Sequence, residues 1–177
     1  MSPGDSMKTF IAIAFLILSS AVYADTEATF ALPSGVSVKI TEANFDTKLF
    51  KIAGCTDTAG FCFINGRVPS GVAFGLPKTY VKRIVVSYQG HAYPLEASDM
   101  FDAWHGRALE QNGAIRYFGG KCYDQKNCQF RGLFSDAAGS FVAEWRIVNG
   151  LAIRTVLSSS DDIVQLFRQH IEPPEYN

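Results

Sequence analysis

The sequence predicts an α+β fold: a single antiparallel β-rich domain of about eight strands, with a C-terminal helix packed on the sheet and room for one further short helix. Three observations lead to this prediction. Short stretches rich in β-branched and aromatic residues recur along most of the chain, and pairs of turn-forming residues separate them. One stretch near the C-terminus has the apolar spacing of an amphipathic helix. No internal repeat, low-complexity tract or long linker divides the chain, so we expect one domain.

Residues 1–24 have the pattern of a secretory signal peptide. Lys8 supplies the positive charge, an apolar segment follows it, and Val22-Tyr23-Ala24 forms the cleavage region. The apolar segment is far shorter than the ~20 residues that a membrane-spanning helix needs. We therefore expect residues 25–177 to form one exported domain, which is periplasmic or, as the alternative, secreted in full, while residues 1–6 are an upstream extension of the leader.

The charge balance disfavours several classes of partner. The chain has a formal net charge of −1 and a sequence pI of about 6.3, which gives no electrostatic indication of binding to nucleic acid or to an anionic membrane. Hydrophobic residues make up 47% of the chain and aromatic residues 13%, the composition of a packed domain rather than a disordered one. The expected partner is another protein of the cell envelope, and the oligomeric state is left open.

Strands are predicted from the alternation of apolar and polar residues and from runs of valine and isoleucine. The pairs Asn65-Gly66, Gln89-Gly90 and Asn149-Gly150 predict tight reversals, because glycine and asparagine tolerate the positive φ that two-residue hairpin turns require. The predicted strands are, in order, residues 36–40, 48–53, 61–64, 80–88, 91–95, 115–118, 129–134, 141–148 and 151–157.

Residues 98–111 depart from the strand pattern and are predicted to form the additional short helix. Ser98 is its expected N-cap. Asp99 and Asp102 would lie in its first turn, where the helix dipole favours negative charge. Gly113 follows the expected end of this helix.

The C-terminal helix has clearer signals. Ser160 is its expected N-cap, the next two residues are acidic, and Pro173-Pro174 prevents the helix from continuing. Its apolar face is predicted to lie on a sheet and to consist of Ile163, Leu166, Phe167 and Ile171.

Four cysteines, an even number in a chain destined for an oxidising compartment, predict disulfide bonds. Three pairings are possible. The local pairing of Cys55 with Cys62 and of Cys122 with Cys128 is favoured because each pair brackets a turn, and crossed pairing stays open. The spacings within the two pairs fit a zinc site poorly, so no metal is expected.

The first candidate site lies just after the predicted start of the 98–111 helix. Asp99, Asp102 and His105 are spaced three residues apart, beside Trp104. On a helix, these two carboxylates and the imidazole would be placed to orient a general base or to hold a cation. The structural alternative is that the acids favour the helix start while Trp104 joins the core. A third interpretation makes Trp104, His105 and Arg107 a partner-binding segment.

The hairpin around Asn149-Gly150 carries the second candidate site. Glu144 and Arg154 are charged residues inside otherwise apolar strands. A two-residue turn places Arg154 opposite Trp145, whereas a three-residue turn with a bulge places it opposite Glu144, and either arrangement links the two strands. If this face is exposed, Trp145, Arg146 and Arg154 have the aromatic and arginine composition of an interaction hot spot.

The sequence lacks other catalytic signatures. There is no Gly-x-Ser-x-Gly nucleophile motif, no glycine-rich loop that would cradle phosphate, and no run of oxygen ligands that would form an EF-hand. Cysteines that are paired in disulfides cannot act as nucleophiles. The sequence therefore indicates no cofactor.

Two functions from different classes remain. The favoured one is a rigid, disulfide-clipped protein-binding module without enzymatic activity. In size, leader and disulfide use the chain is similar to small exported bacterial proteins that inhibit lysozyme or protect the periplasm from a cell-wall toxin, which implies an inhibitor or immunity role; no family motif is matched. The alternative is a small cell-envelope hydrolase that uses His105 with Asp99 or Asp102 as acid and base.

Overall fold

The computed structural model describes residues 25–55, 62–104, 116–135 and 138–174. Within these residues ten strands form three antiparallel sheets, accompanied by one α-helix and one 3-10 turn. The predicted antiparallel β structure with a C-terminal helix is confirmed, and the strand count is corrected from about eight to ten strands in three sheets. No helix in the described ranges is long and apolar enough to cross a membrane. The predicted leader, residues 1–24, lies outside these ranges.

The strands and the α-helix of the described ranges are numbered in chain order. They are β1 (Thr26–Ala31), β2 (Ser37–Asn44), β3 (Ile52–Ala53), β4 (Phe63–Ile64), β5 (Thr79–Tyr88), β6 (His91–Leu95), β7 (Phe118–Cys122), β8 (Cys128–Phe134), β9 (Phe141–Val148), β10 (Leu151–Ser158) and α1 (Asp161–Gln169). β1 has no counterpart in the sequence prediction, because only Ala28 and Phe30 face inward and so short a pattern carries little periodicity.

Two four-stranded sheets make up most of the fold. The first has the order β1-β2-β5-β6, and the second is a simple meander in the order β10-β9-β8-β7. The predicted turns Gln89-Gly90 and Asn149-Gly150 join β5 to β6 and β9 to β10. Both residues of each turn have positive φ, between 46° and 82°, which matches the right-handed twist of the strands they connect.

The third sheet is a short hairpin between β2 and β5. β3 pairs with β4, and the Asn65-Gly66 turn follows β4. The predicted strand over residues 48–53 is wrong in its first half, because Thr47–Leu49 is a 3-10 turn. The carboxylate of Asp46 caps this turn by accepting a hydrogen bond from the backbone nitrogen of Lys48 at 2.9 Å.

A hydrophobic core fills the space between the two four-stranded sheets. Phe30 and Ile84 from the first sheet and Phe118, Phe130 and Trp145 from the second are all buried in it. The rings of Phe30 and Phe118 lie 4.8 Å apart between centroids, so side chains from opposite sheets interdigitate. The two sheets therefore pack face to face as a β-sandwich.

The helix α1 covers part of the outer face of the second sheet. Val164 and Phe167 pack on Leu133 and Val142 in a cluster separate from the main core. The predicted apolar face is correct for Phe167 and wrong for Leu166, which is 52% exposed. The buried stripe instead runs through Val164, which lies one turn before Phe167 on the same side of the helix.

The predicted helix over residues 98–111 is wrong for the part that the structure describes. Asp99 and Asp102 have positive φ of 62° and 44°, values outside the right-handed helical region. Phe101, which lies between them, instead forms an isolated antiparallel bridge with Tyr80, the second residue of β5. Tertiary pairing has overridden the capping signal, and residues 105–111 lie outside the described ranges.

The chain reversals gather at two opposite ends of the sandwich, because neighbouring strands run antiparallel. We call one the turn end; it carries the Gln89-Gly90 and Asn149-Gly150 turns and the loop of residues 123–127. We call the other the loop end; it carries the described residues of 45–78 and those of 96–104.

Candidate functional site

A buried polar network at the loop end contains one of the predicted carboxylates. Asp102 Oδ1 accepts hydrogen bonds from the backbone nitrogens of Lys78 and Thr79 at 2.7 and 2.9 Å. The Thr79 hydroxyl donates to Glu42 Oε1 at 2.6 Å, and the backbone nitrogen of Trp104 lies 3.3 Å from the same oxygen. Both acids are buried. Their oxygens hold residues 102–104 against β2 and β5, which is a structural role.

The second predicted carboxylate also has a partner. Asp99 accepts a hydrogen bond from the guanidinium of Arg67, with 2.7 Å between Nη1 and Oδ2. This ion pair links the 96–104 segment to the hairpin that follows β4. His105 and Arg107, which complete the predicted site, lie outside the described residues, so the acid–base arrangement of His105 stays a prediction.

Trp104 packs against the core, as the structural interpretation of this segment predicted. Its ring lies 5.5 Å from that of Phe134 and 5.9 Å from that of Phe118. The side chain is half-buried rather than fully exposed. Trp104 therefore mainly extends the hydrophobic core at the loop end.

The most exposed apolar side chains of the loop end were not identified from the sequence. Phe74 is 79% exposed, Leu49 64% and Val68 62%, and Phe63 and Leu76 are exposed as well. Two of the segments that carry them are neighbours: the backbone nitrogen of Lys51 donates a hydrogen bond to Asn65 Oδ1 at 3.0 Å, and the backbone nitrogen of Asn65 donates one to the carbonyl oxygen of Lys51 at 2.7 Å. We call these five side chains the loop-end apolar group.

The segments that carry this group are anchored to the fold from beneath. Ile64, Val72 and Phe101 form a small buried cluster there. The backbone nitrogen of Ser70 donates a hydrogen bond to the carbonyl oxygen of Asp99, and the backbone nitrogen of Phe101 donates one to the carbonyl oxygen of Ser70. Gly71 has a φ of +98° and lies so close to the chain that an added Cβ would be 1.8 Å from the carbonyl oxygen of Phe101. The backbone of residues 70–72 is therefore held against the fold, with the exposed Val68 and Phe74 on either side of it in the chain.

The second predicted site is not brought together on one surface. Trp145 lies opposite Arg154 in the β9–β10 register, as the two-residue turn predicts, and a bulge follows between Arg154 and Val156. Trp145 is fully buried in the core. Arg146 points to the outer face of the sheet, and the guanidinium of Arg154 reaches the carbonyl oxygen of Ser98 at 2.5 Å.

Glu144 is the centre of a polar cluster on the outer face of the second sheet, beside α1. Burial alone would raise its pKa, but hydrogen bonds from Thr155 and Arg131 outweigh burial, so the pKa of Glu144 lies below its ordinary value. The bonds are 2.9 Å from the Thr155 hydroxyl and 2.7 Å from Arg131 Nε. Arg146 Nε lies 3.6 Å away. The ionised carboxylate of Glu144 and its arginine partners therefore stabilise the junction between the second sheet and α1.

The predicted local disulfide pairing is confirmed. Cys55 bonds to Cys62 at the loop end, and Cys122 bonds to Cys128 at the turn end. None of the four thiols is free. In the part of the chain that the structure describes, no group of three or more His, Cys, Asp or Glu side chains is placed to hold a metal ion.

Comparison with known proteins gives no family for this chain. No protein-family model matches it, and no match was found among curated proteins or solved structures.

Proposed function

We propose that this chain is a protein-binding module of the cell envelope and that the loop-end apolar group is its docking surface. The observation that carries the proposal is the exposure of Phe74 and Val68 on a segment whose backbone is pinned by Gly71, Ser70 and a buried cluster. Exposed apolar side chains that lie near one another are typical of interaction sites.

The energetics favour a protein as the ligand of this surface. Burying one large apolar side chain contributes roughly 1.5–3 kcal/mol, and several such side chains are available here. The backbone that carries them is already ordered, so little conformational entropy is lost when a partner covers it. A preorganised apolar surface of this kind supports a stable complex rather than a passing contact.

A cell-wall-degrading enzyme or toxin is the proposed partner class. The predicted leader and the two disulfides support export to the compartment where such enzymes act. Enzymes that cleave polymers have concave binding clefts. A rigid, apolar projection that fills or covers a cleft would act as an inhibitor or immunity protein.

The experiment uses residues 25–177, oxidised, as the binding reagent. Candidate partners are isolated from envelope extracts with the wild-type domain, produced separately, and titrated against wild type, Phe74→Asp and Leu151→Asp. Leu151 is 71% exposed at the opposite end and is the matched control. We expect Phe74→Asp to weaken binding by about a hundredfold, as for an interface hot spot, and Leu151→Asp to change it less than twofold.

An activity measurement completes the test. The purified partner should clear a peptidoglycan suspension, and an equimolar amount of the wild-type domain should stop it. The proposal fails if Phe74→Asp binds and inhibits like wild type, or if the domain alone degrades peptidoglycan.

A further inference from the structure

The turn end carries two shallow cavities that share Tyr123 and Asn127. One, of about 450 Å³, lies between the 88–89 turn region and the 123–127 loop. The other, of about 300 Å³, lies on the outer face of β8 and β9, beside Arg146. Tyr123 is 55% exposed and stands between them. We call the two cavities together the turn-end groove; it lies at the opposite end of the sandwich from the loop-end apolar group.

The loop that forms the groove is rigid. The Cys122–Cys128 disulfide closes its base. Inside the loop, the carboxylate of Asp124 accepts hydrogen bonds from the backbone and side chain of Asn127 at 2.8–3.0 Å. Asn127 Oδ1 in turn accepts a hydrogen bond from the backbone nitrogen of Asn149. The groove is therefore formed before any ligand arrives.

The lining of the larger cavity is polar and aromatic. Two tyrosine rings, Tyr88 and Tyr123, stand among amide and charged side chains, and no aliphatic side chain takes part. Such a lining does not suit a lipid or the apolar centre of a protein interface. It suits a ligand with one apolar face and many hydroxyl groups, because a tyrosine ring packs on the apolar face while amides bond to the hydroxyls.

The smaller cavity has an amide in its floor with unused bonding capacity. Gln129 is only 4% exposed and lines this cavity. The amide of Gln129 lies near Glu144 and helps to lower the pKa of that carboxyl group. The Nε2 atom of this amide nevertheless has no hydrogen-bond partner of normal geometry. A buried donor without an acceptor is costly. Because Nε2 is covered, a ligand oxygen in the cavity would relieve that cost only after the Gln129 side chain turns toward it.

We propose that the turn-end groove binds a pyranose oligosaccharide, with Tyr123 as the platform between two sugar positions. The two cavities, one on each side of Tyr123, have the volume of small-ligand sites. Gln129 contributes a donor beneath one sugar, and Arg146 borders the same position. This site is independent of the protein-docking surface at the loop end.

Isothermal titration calorimetry of the oxidised domain, residues 25–177, with two probes tests the proposal. Chitotetraose represents the neutral N-acetylated backbone of cell-wall glycan, and a hyaluronan tetrasaccharide represents acidic extracellular polysaccharide. We expect wild type to bind one of them and Tyr123→Ala to lose at least about tenfold in affinity. The probe that binds identifies the source of the ligand. Failure of both probes, or binding that persists in Tyr123→Ala, would overturn the site.

Two further variants separate the ligand role from folding. Gln129→Met keeps the side-chain length and removes the unpartnered amide, so we expect an equal or higher melting temperature together with several-fold weaker saccharide binding. Unchanged affinity in this variant would contradict the role of the amide. Phe74→Asp, at the other end, should bind saccharide as wild type does, which keeps this test separate from that of the docking surface.

Discussion

The indole nitrogen of Trp145 donates a hydrogen bond to the backbone carbonyl of Glu96, with 2.9 Å between the two atoms. Trp145 lies in β9 and Glu96 follows β6, so this bond joins the two four-stranded sheets. Arg154, which lies opposite Trp145, reaches the same connection through the carbonyl oxygen of Ser98 and the carboxylate of Glu96. These residues therefore close one side of the sandwich.

Replacing Trp145 by phenylalanine should destabilise the domain without unfolding it. The variant keeps an aromatic ring in the core but loses the bond to Glu96 and leaves a small cavity, so we expect the free energy of unfolding to fall by about 2–3 kcal/mol. Urea denaturation measures this change. Leu151→Ala, at an exposed position, is the control and should change the value by less than about 0.5 kcal/mol. Equal stability of Trp145→Phe and wild type would mean that the inter-sheet bond contributes nothing.

The carboxylate of Glu144 should make stability depend on pH. Its pKa lies below the ordinary value of 4.5 in the folded state, so it stabilises the fold above that pH, and this contribution is lost as the pH falls through the folded pKa. We expect Glu144→Gln to lower the free energy of unfolding by about 1–2 kcal/mol at pH 7 and to lose less than wild type on acidification.

The measurement is urea unfolding of both proteins between pH 7 and the acid range. Glu27→Gln is the matched control, because Lys39 also lowers the pKa of Glu27, but that pair is exposed on the surface. Identical pH profiles for Glu144→Gln and wild type would contradict the role assigned to Glu144.

Gly71 should tolerate no side chain. An added Cβ would meet the carbonyl oxygen of Phe101 at 1.8 Å, and the φ of +98° is unfavourable for alanine. We expect Gly71→Ala to lower the free energy of unfolding by more than about 3 kcal/mol, or to prevent folding. Gly66→Ala has a similar positive φ but open space around it, so only about 1–2 kcal/mol is expected. Thermal unfolding of both variants decides; equal losses would show that the close approach to Phe101 is not limiting.

Removal of the turn-end disulfide should cost a measurable share of the stability. Serine at both Cys122 and Cys128 opens a short covalent loop, and the chain-entropy model gives a loss of about 2.5 kcal/mol. Denaturation with and without dithiothreitol measures the change, and alkylation of the unfolded, unreduced domain should label no thiol. Full labelling of all four cysteines in material from the native compartment would contradict the assigned pairing.

Local signals in the sequence were sufficient for much of the fold. The Asn149-Gly150 pair placed β9 and β10 correctly at their turn, because two residues with positive φ leave few alternatives. Ser160 lies at the N-cap of α1, although its side chain makes no capping bond. The disulfide pairing followed from spacing, since the two cysteines of each pair are only 7 and 6 positions apart.

The candidate sites depended on contacts between residues far apart in the chain. Asp102 was predicted in the first turn of a helix, yet hydrogen bonds from Lys78 and Thr79 hold it in a non-helical connection with a φ of +44°. Glu42 is buried, and its carboxylate accepts hydrogen bonds from the hydroxyl of Thr79 and the backbone nitrogen of Trp104, partners that no local pattern reports.

Local patterns, then, were enough to predict most of the strands, the Gln89-Gly90 and Asn149-Gly150 turns, the favoured disulfide pairing and the final helix, because each depends on residues a few positions apart. Which faces are covered and which remain open was decided by packing. Trp145 is buried because the first sheet lies against it, whereas Phe74 and Tyr123, at opposite ends of the sandwich, are 79% and 55% exposed. Burial is a property of the assembled sheets, so the surfaces proposed for binding emerge only at that level.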